Sequence, residues 1–196
     1  MAGMARWQPD ARGRLEAAAL ELFRERGFEQ TTVTDIAARA GLDKRTFYRL
    51  FGDKREALFS GGTLLEEILV KAVAETDTAP FEAVVAGFRR VADEIFADRL
   101  ELVRMRQSII ESSPELQERE LRKLGSLAVA VAAALRAKGV GETTATLATE
   151  SGVTVFRAAF ARWVAPGLDA SLSDLIAELA SELAAVTSGG SETIAS

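Results

Sequence analysis

The sequence predicts an all-α protein of about nine helices, and three observations support this fold class. Apolar side chains recur at the i, i+3, i+4 spacing of an amphipathic helix through most of the 196 residues. Glycine, proline and short polar clusters separate these stretches, as they do where helices end and begin. No stretch of the sequence shows the alternating apolar and polar pattern of a half-buried strand.

The first three helices are predicted from their end signals. The first helix runs from about Pro9 to Arg26 with an apolar face. The second begins at Thr32, where Thr-Val-Thr-Asp fits a capping box. It ends at Gly41, because glycine adopts a left-handed cap without a Cβ penalty. Asp43 is a good N-cap for a third helix over about Lys44–Leu50.

Two short helices joined by a glycine turn form the layout of a helix-turn-helix. The second helix of this motif, which is the third helix of the chain, would direct polar side chains outward, namely Lys44, Arg45, Thr46, Tyr48 and Arg49. An α-helix fits the major groove of B-DNA, where arginine and lysine read guanine edges and hydroxyls reach phosphates. A helical hairpin with an ordinary solvated face is the alternative interpretation, since charge runs are often just surface.

The distribution of charge favours DNA binding at the amino-terminal end. The formal net charge is −5. Residues 1–60 carry 11 basic and 9 acidic side chains, whereas residues 61–196 carry 13 and 20. Binding to DNA depends on the local field, and positive charge is concentrated within residues 42–55.

The rest of the chain also shows helical spacing. We expect further helices over about Asp53–Glu75, 80–97, Arg99–Ser112, Glu115–Ala137, Glu142–Val164 and Ser171–Val186. The predicted domains are a helix-turn-helix domain at 1–52, a ligand-binding and dimerisation domain at 53–187, and a disordered polar tail at 188–196.

The amino-terminal region contains a predicted helix with the sequence RLEAAALELFRERGFEQTTV. It is followed by the spaced pattern IA-RAGL-KRTFYRLF-DK-AL. Residues 12–58, which contain both, resemble the DNA-binding domain of the TetR family of transcriptional regulators. The shared features are Leu22-Phe23, Gly27-Phe28, Ile36-Ala37, Ala40-Gly41, Thr46, Tyr48, Phe51 and Lys54. The number and order of helices are also similar to that family's plan.

The resemblance implies roles for particular residues. Lys44, Arg45, Thr46 and Tyr48 would lie on the recognition face, with Arg49 beside them, and Thr34 and Lys54 would touch phosphate. Arg45 stands where many relatives carry glycine or a small residue, and Leu50 where many carry an aromatic residue or histidine. The operator sequence therefore cannot be borrowed from a relative.

The second domain carries two further predictions. Candidate ligand-binding residues are Phe88, Phe96, Arg104, Met105, Gln107, Ile109, Phe156 and Phe160. Candidate dimer-interface residues are Val155, Ala159, Trp163, Leu172, Leu175, Ile176, Leu179 and Leu183. For both sets, packing within the chain's own core is the alternative explanation.

Composition narrows the class of function. The chain has no cysteine and no histidine, which excludes disulfides and thiolate sites and removes the usual general base and metal ligand. We therefore expect no metal and no cofactor. The sequence shows neither an apolar span nor a signal peptide, so we expect a cytoplasmic protein.

The function expected from the resemblance is that of a ligand-responsive repressor. It would bind a palindromic operator as a homodimer and be released by a small apolar or amphipathic effector. A helical enzyme of small-molecule metabolism and an adaptor without DNA binding are the alternatives. Arg6, Trp7 and Arg12 would add an N-terminal arm on the DNA.

Overall fold

The computed structural model describes residues 10–59, 61–167 and 169–188, and every regular element in these ranges is helical. The helices are α1 (Ala11–Arg26), α2 (Val33–Arg39), α3 (Lys44–Leu50), α4 (Glu56–Phe59), α5 (Gly62–Glu75), α6 (Pro80–Val91), α7 (Leu100–Glu111), α8 (Pro114–Ala137), α9 (Glu142–Val164) and α10 (Leu172–Thr187). The all-α prediction is confirmed, and the helix count agrees when α4 and α5 are taken as the one helix expected there. None of the described helices has the length and apolar content needed to cross a membrane.

The predicted helix caps are present at α2 and α3. The Thr32 hydroxyl accepts the Asp35 amide at 3.2 Å, and the Asp35 carboxylate accepts the Thr32 amide at 3.1 Å, which completes the capping box. Gly41 has φ of +65°, a left-handed conformation that favours glycine. Asp43 caps α3 by accepting the Thr46 amide at 2.7 Å.

The continuous helix expected over Asp53–Glu75 is wrong. The structure has the single turn α4 and then α5, whose first residue is Gly62 and whose N-cap is Gly61. Adjacent glycines lower helix propensity by about 1 kcal/mol each, which explains a helix break at this point. Before α4, the Asp53 carboxylate accepts the amides of Arg55 and Glu56 at 2.8 and 3.1 Å.

The chain divides into two compact units, of which unit 1 contains residues 1–60 and 104–120. Its core includes the buried side chains of Leu15 and Leu22 from α1, Ile36 from α2 and Phe47 from α3. The same core contains residues from α7 and α8, namely Ile109, Ile110 and Leu116. A segment that follows far later in the sequence therefore completes the packing around the helix-turn-helix, and unit 1 is larger than the predicted domain at 1–52.

Unit 2 contains residues 61–103 and 121–196. Its core is formed by α5, α6, α9 and α10 with the second half of α8. At Gly152, α9 and α6 approach so closely that an added Cβ would lie 2.4 Å from Cγ1 of Val84. Glycine is thus required there by the packing of two helices.

The helical chain continues past the end of α6 with a different hydrogen-bond pattern. Residues Ala92–Phe96 form a π-helical turn, closed by a bond from the Ala97 amide to the Ala92 carbonyl at 3.1 Å. The wider turn brings Phe96 against Phe160 and Trp163, with ring centroids 5.7 and 6.0 Å apart. Single π-helical turns of this kind are frequent at functional sites.

Candidate nucleic-acid interface

Helix α3 is held by its buried aromatic face and exposes its basic face. Phe47 is fully buried and packs against Phe51 with ring centroids 5.2 Å apart. The Tyr48 ring meets Phe47 edge-on at 5.8 Å, and 51% of Tyr48 remains exposed. The exposed side chains Lys44, Arg45, Tyr48 and Arg49 form what we call the recognition surface. Their placement on the outer side of α3 agrees with the predicted arrangement.

Thr46 faces the cap of its own helix. Its hydroxyl lies 3.2 Å from an Asp43 carboxylate oxygen, to which it donates. The hydrogen bond from the Thr46 amide is the largest cause that lowers the pKa of Asp43. Desolvation opposes it, and the bond from the Thr46 hydroxyl adds a further lowering effect. With its proton used in this way, the half-buried Thr46 hydroxyl offers acceptor lone pairs rather than a donor.

Helix α2 is tied to α1 by an ion-pair cluster. Arg39 meets Glu25 at 2.9 Å and Glu21 at 3.2 Å. The hydrogen bonds that Arg39 donates to Glu25 and then to Glu21 raise the pKa of Arg39, and the bond that Glu25 accepts from Arg39 lowers the pKa of Glu25. Thr34, in the first turn of α2, is exposed and remains a predicted phosphate contact.

Three other cations of unit 1 donate to backbone carbonyls near helix ends. Arg12 bonds the Leu50 carbonyl at 3.0 Å, with its guanidinium 4.7 Å from the Phe51 ring centroid. Arg14 bonds the Ala40 carbonyl, and Lys54 bonds carbonyls in the turn after α1. Cations suit the positions of Arg12 and Arg14 because the last carbonyls of a helix lack partners and carry partial negative charge. Arg12 therefore joins α1 to the end of α3, whereas Arg6 and Trp7 of the expected arm lie outside the described residues.

A further group of charges surrounds α4. Arg55 pairs with Asp53 and Glu115, and Arg119 pairs with Glu56. Partial burial would raise the pKa of Asp53, but hydrogen bonds and attraction from Arg55 bring that pKa below its usual value. These pairs connect α4 with the start of α8 inside unit 1.

Sequence reasoning missed the aromatic centre of this group. Phe59 is buried, with the guanidinium of Arg106 5.1 Å and that of Arg119 5.7 Å from its ring centroid. Arg106 also donates to the Leu58 carbonyl at 3.0 Å and to Glu120 at 3.0 Å. No local pattern predicts these contacts, because Arg106 and Leu58 are 48 residues apart.

The predicted ligand-binding residues are divided between the two units. Arg104, Met105, Gln107 and Ile109 belong to unit 1, where Ile109 is buried and Met105 packs against the core. The four phenylalanines belong to unit 2 and form a continuous aromatic cluster with Trp163. Phe88 and Phe156 stack with centroids 4.6 Å apart and planes at 16°. Phe96 and Phe160 complete the cluster and are only half-buried.

Most of the predicted dimer-interface residues are buried within the single chain. Six of the eight are at most 6% exposed, namely Val155, Ala159, Trp163, Leu172, Leu175 and Ile176. For these six, the packing within unit 2 favours the alternative explanation, because a side chain already buried adds little area to an interface. Leu179 and Leu183 are half-buried.

No group of three or more acidic side chains among residues 10–59, 61–167 and 169–188 is arranged to hold a metal ion. The polar features of unit 1 are instead the recognition surface, the helix caps and the ion pairs. These features can bind a polyanion along α3.

This chain is similar in sequence to a family of bacterial regulators and to one curated protein. Residues 15–60 match the family model of bacterial regulatory proteins, tetR family. The HTH-type transcriptional regulator TcmR of Streptomyces glaucescens is 31% identical over 119 residues, which cover 57% of this chain and 53% of TcmR. The chain thus spans about half the length of this curated relative.

Two solved structures share the fold over most of the chain. The TetR family repressor FadR of Thermus thermophilus, solved with lauroyl-CoA, is 25% identical with a TM-score of 0.55, covering 94% of this chain and 98% of FadR. The fatty acid degradation regulator FadR of Bacillus halodurans is 19% identical with a TM-score of 0.58, covering 90% and 95%. The second likeness is evidence for the fold alone.

Proposed function

We propose that the protein is a ligand-responsive transcriptional regulator that binds double-stranded DNA, a proposal supported by the match of residues 15–60 to the family model of bacterial regulatory proteins, tetR family. The recognition surface is the observation that carries this proposal. Lys44, Arg45 and Arg49 extend from α3 with exposed side chains, while the cations around them are bonded inside unit 1. Helix α3 therefore presents a basic face of the width that enters a major groove.

Within this proposal, Arg45 reads a base edge. Arginine donates two parallel hydrogen bonds to guanine, which makes it the commonest specific contact in the major groove. Lys44 lies with its ammonium 5.8 Å from the Tyr48 ring centroid, and we assign both side chains to contacts at the groove edge. Thr34 contacts phosphate from the first turn of α2.

The proposed state on DNA is a homodimer. A two-fold dimer presents two α3 helices about one DNA turn apart, roughly 34–36 Å, to a palindromic operator. The outer faces of α9 and α10 supply the interface, with the exposed Leu147 and Ala158 on α9, and the exposed Val186 and half-buried Leu183 on α10. An ion pair from Arg162 to Glu178 at 2.9 Å connects these two helices.

The proposed input is a small apolar or amphipathic effector in unit 2. Phe96 and Phe160 are the reachable members of the aromatic cluster, because the stacked Phe88 and Phe156 are buried. The lauroyl-CoA bound to the Thermus thermophilus FadR is an amphipathic ligand of that protein, which supports this chemical class. The effector would favour a state with lower DNA affinity and so act on a repressor.

A gel-shift assay tests the DNA-binding half of the proposal. The probe is the intergenic duplex beside the protein's own gene, and the control probe is a shuffled duplex of equal length. We expect a shift at low salt that the shuffled duplex competes poorly, and its loss when Lys44, Arg45 and Arg49 are all changed to alanine. A folded protein that shifts neither duplex at low salt would contradict the proposal.

A further inference from the structure

We propose that Lys54 is a positioning residue of the DNA-binding unit and does not bind phosphate, an inference that rests on the proposed function and deepens it. The Lys54 ammonium lies 2.7 Å from the Phe28 carbonyl oxygen and 3.3 Å from those of Glu29 and Thr31. An ammonium group has three donors and no acceptor. Three backbone carbonyls therefore use its full donor capacity within the protein.

The half-buried Lys54 side chain also lies beside an aromatic ring. Nζ lies 4.2 Å from the centroid of the Phe28 ring, a cation–π distance. Phe28 is buried and packs against Phe23 with ring centroids 5.1 Å apart. Lys54 is thus placed over a buried ring, whereas Lys44 and Arg45 are exposed on α3.

The carbonyls bound by Lys54 belong to the turn that sets the start of α2. Thr31 is 1% exposed, and its hydroxyl donates to the Gly27 carbonyl at 2.9 Å. The next residue, Thr32, is the N-cap of α2. A fixed Thr31 carbonyl therefore fixes the point at which α2 begins.

The position of α2 in turn determines that of α3. The Leu42 amide donates to the Ala37 carbonyl at 2.9 Å across the turn that joins the two helices. Loss of the Lys54 ammonium would leave the turn after α1 without its cation and release the start of α2. The recognition surface would then meet the groove less well, although every one of its own side chains is intact.

Salt dependence distinguishes this role from a phosphate contact. Each cation on a phosphate of duplex DNA adds about 0.9 to the slope of log K against log salt, through counterion release. A positioning residue lowers affinity and leaves that slope unchanged. The experiment compares Lys54→Met and Lys54→Arg in the full chain, with Lys44→Ala as the exposed control, on the intergenic duplex described above.

We expect Lys54→Met to lower Tm by about 4 °C or more. At a temperature where both proteins are folded, it should weaken DNA binding about tenfold or more with a wild-type salt slope. Amide chemical shifts should change at residues 28–35. Lys54→Arg should restore at least half of each loss, since guanidinium also donates to carbonyls. Lys44→Ala should reduce the salt slope by about 1.8, because the proposed dimer loses one phosphate contact from each protomer, and it should leave Tm unchanged.

Two results would overturn the inference. A salt slope reduced by about 1.8 in Lys54→Met, one contact from each protomer, would identify a phosphate contact. A lower Tm with unchanged DNA affinity would assign Lys54 to stability alone. Failure of the wild-type chain to bind DNA is a different outcome, because it refutes the proposed function from which this inference starts.

Discussion

At the scale of single residues, the partner of each cation decides what that cation can do. Residues 42–55 contain five basic side chains, of which Lys54 and Arg55 bond within unit 1. Lys44, Arg45 and Arg49 are the exposed members. A ligand that meets this segment therefore encounters three positive charges along one helix.

Arg45→Ala should reduce discrimination between operator variants at one or two base positions and cost about 1–3 kcal/mol of binding. The reason is the loss of paired donors to a base edge. Competition gel shifts with single-base variants measure the effect. Arg24→Ala, which removes an exposed arginine from α1, is the matched control and should leave base preference unchanged. Equal losses on operator and shuffled DNA would show that Arg45 reads no base.

Asp43→Asn should make unit 1 less sensitive to acid. The hydrogen bond from the Thr46 amide holds the pKa of Asp43 below its ordinary value of 3.8 in the folded chain. The unfolded chain therefore binds the proton first as pH falls below about 3.8, and the stabilisation is lost as pH passes down through the folded pKa. Asparagine keeps the N-cap acceptor without titrating. Thermal unfolding between pH 7 and 2.5 should show a wild-type Tm at pH 7 and a smaller acid-induced fall; an unchanged fall would contradict this.

At the scale of helices, the capping residues determine where short helices begin and end, and small residues determine where two helices can cross closely. The caps at α2 and α3 place a seven-residue helix on each side of Gly41. Such short helices are marginal alone, so their stability comes from the buried Ile36 and Phe47. In unit 2, the crossing of α6 and α9 depends instead on the missing side chain of Gly152.

Gly152→Ala should destabilise the protein by about 1–3 kcal/mol. The added methyl would lie 2.4 Å from Cγ1 and 3.2 Å from Cβ of the fully buried Val84, which has no room to move. Gly125→Ala is the matched control, since nothing lies within 4 Å of an added Cβ on that exposed part of α8. It should stabilise the helix by about 0.5–1 kcal/mol. Urea unfolding of both variants decides the matter, and similar effects of the two would refute the close crossing.

Features set by neighbouring residues could be predicted from the sequence, whereas contacts between distant residues could not. The helix-turn-helix was predictable because its caps and turn residues act over three or four positions. The break before Gly62 was missed because apolar spacing continues through Gly61-Gly62. The partners of Lys54 were missed because backbone carbonyls 23–26 residues away leave no side-chain pattern. Ile109 was assigned to a pocket because its spacing does not reveal which core receives it.

At the scale of the whole molecule, the chain passes between its two units three times. It leaves unit 1 after residue 60, returns over residues 104–120, and leaves again. The returning segment contains the end of α7 and the start of α8. Helices α7 and α8 therefore each have one part in unit 1 and one part in unit 2.

Ala158→Glu should shift the protein from dimer to monomer, raising the dimer dissociation constant about 100-fold or more. Ala158 is exposed on the proposed interface of α9, where a carboxylate would be desolvated on association. Ala133→Glu, on an exposed face of α8, is the control and should leave association unchanged. Sedimentation velocity measures both variants. A dimer of wild-type strength in Ala158→Glu would place the interface elsewhere.

The return of residues 104–120 to unit 1 has a consequence for recombination. A chimaera that exchanges only residues 1–60 with a related protein would set foreign side chains against Ile109, Ile110 and Leu116. A chimaera that exchanges residues 1–60 and 104–120 together would preserve this packing. Unit 1 is therefore encoded by two separate segments of the gene. A chimaera designed to transfer operator specificity should exchange residues 1–60 and 104–120 together.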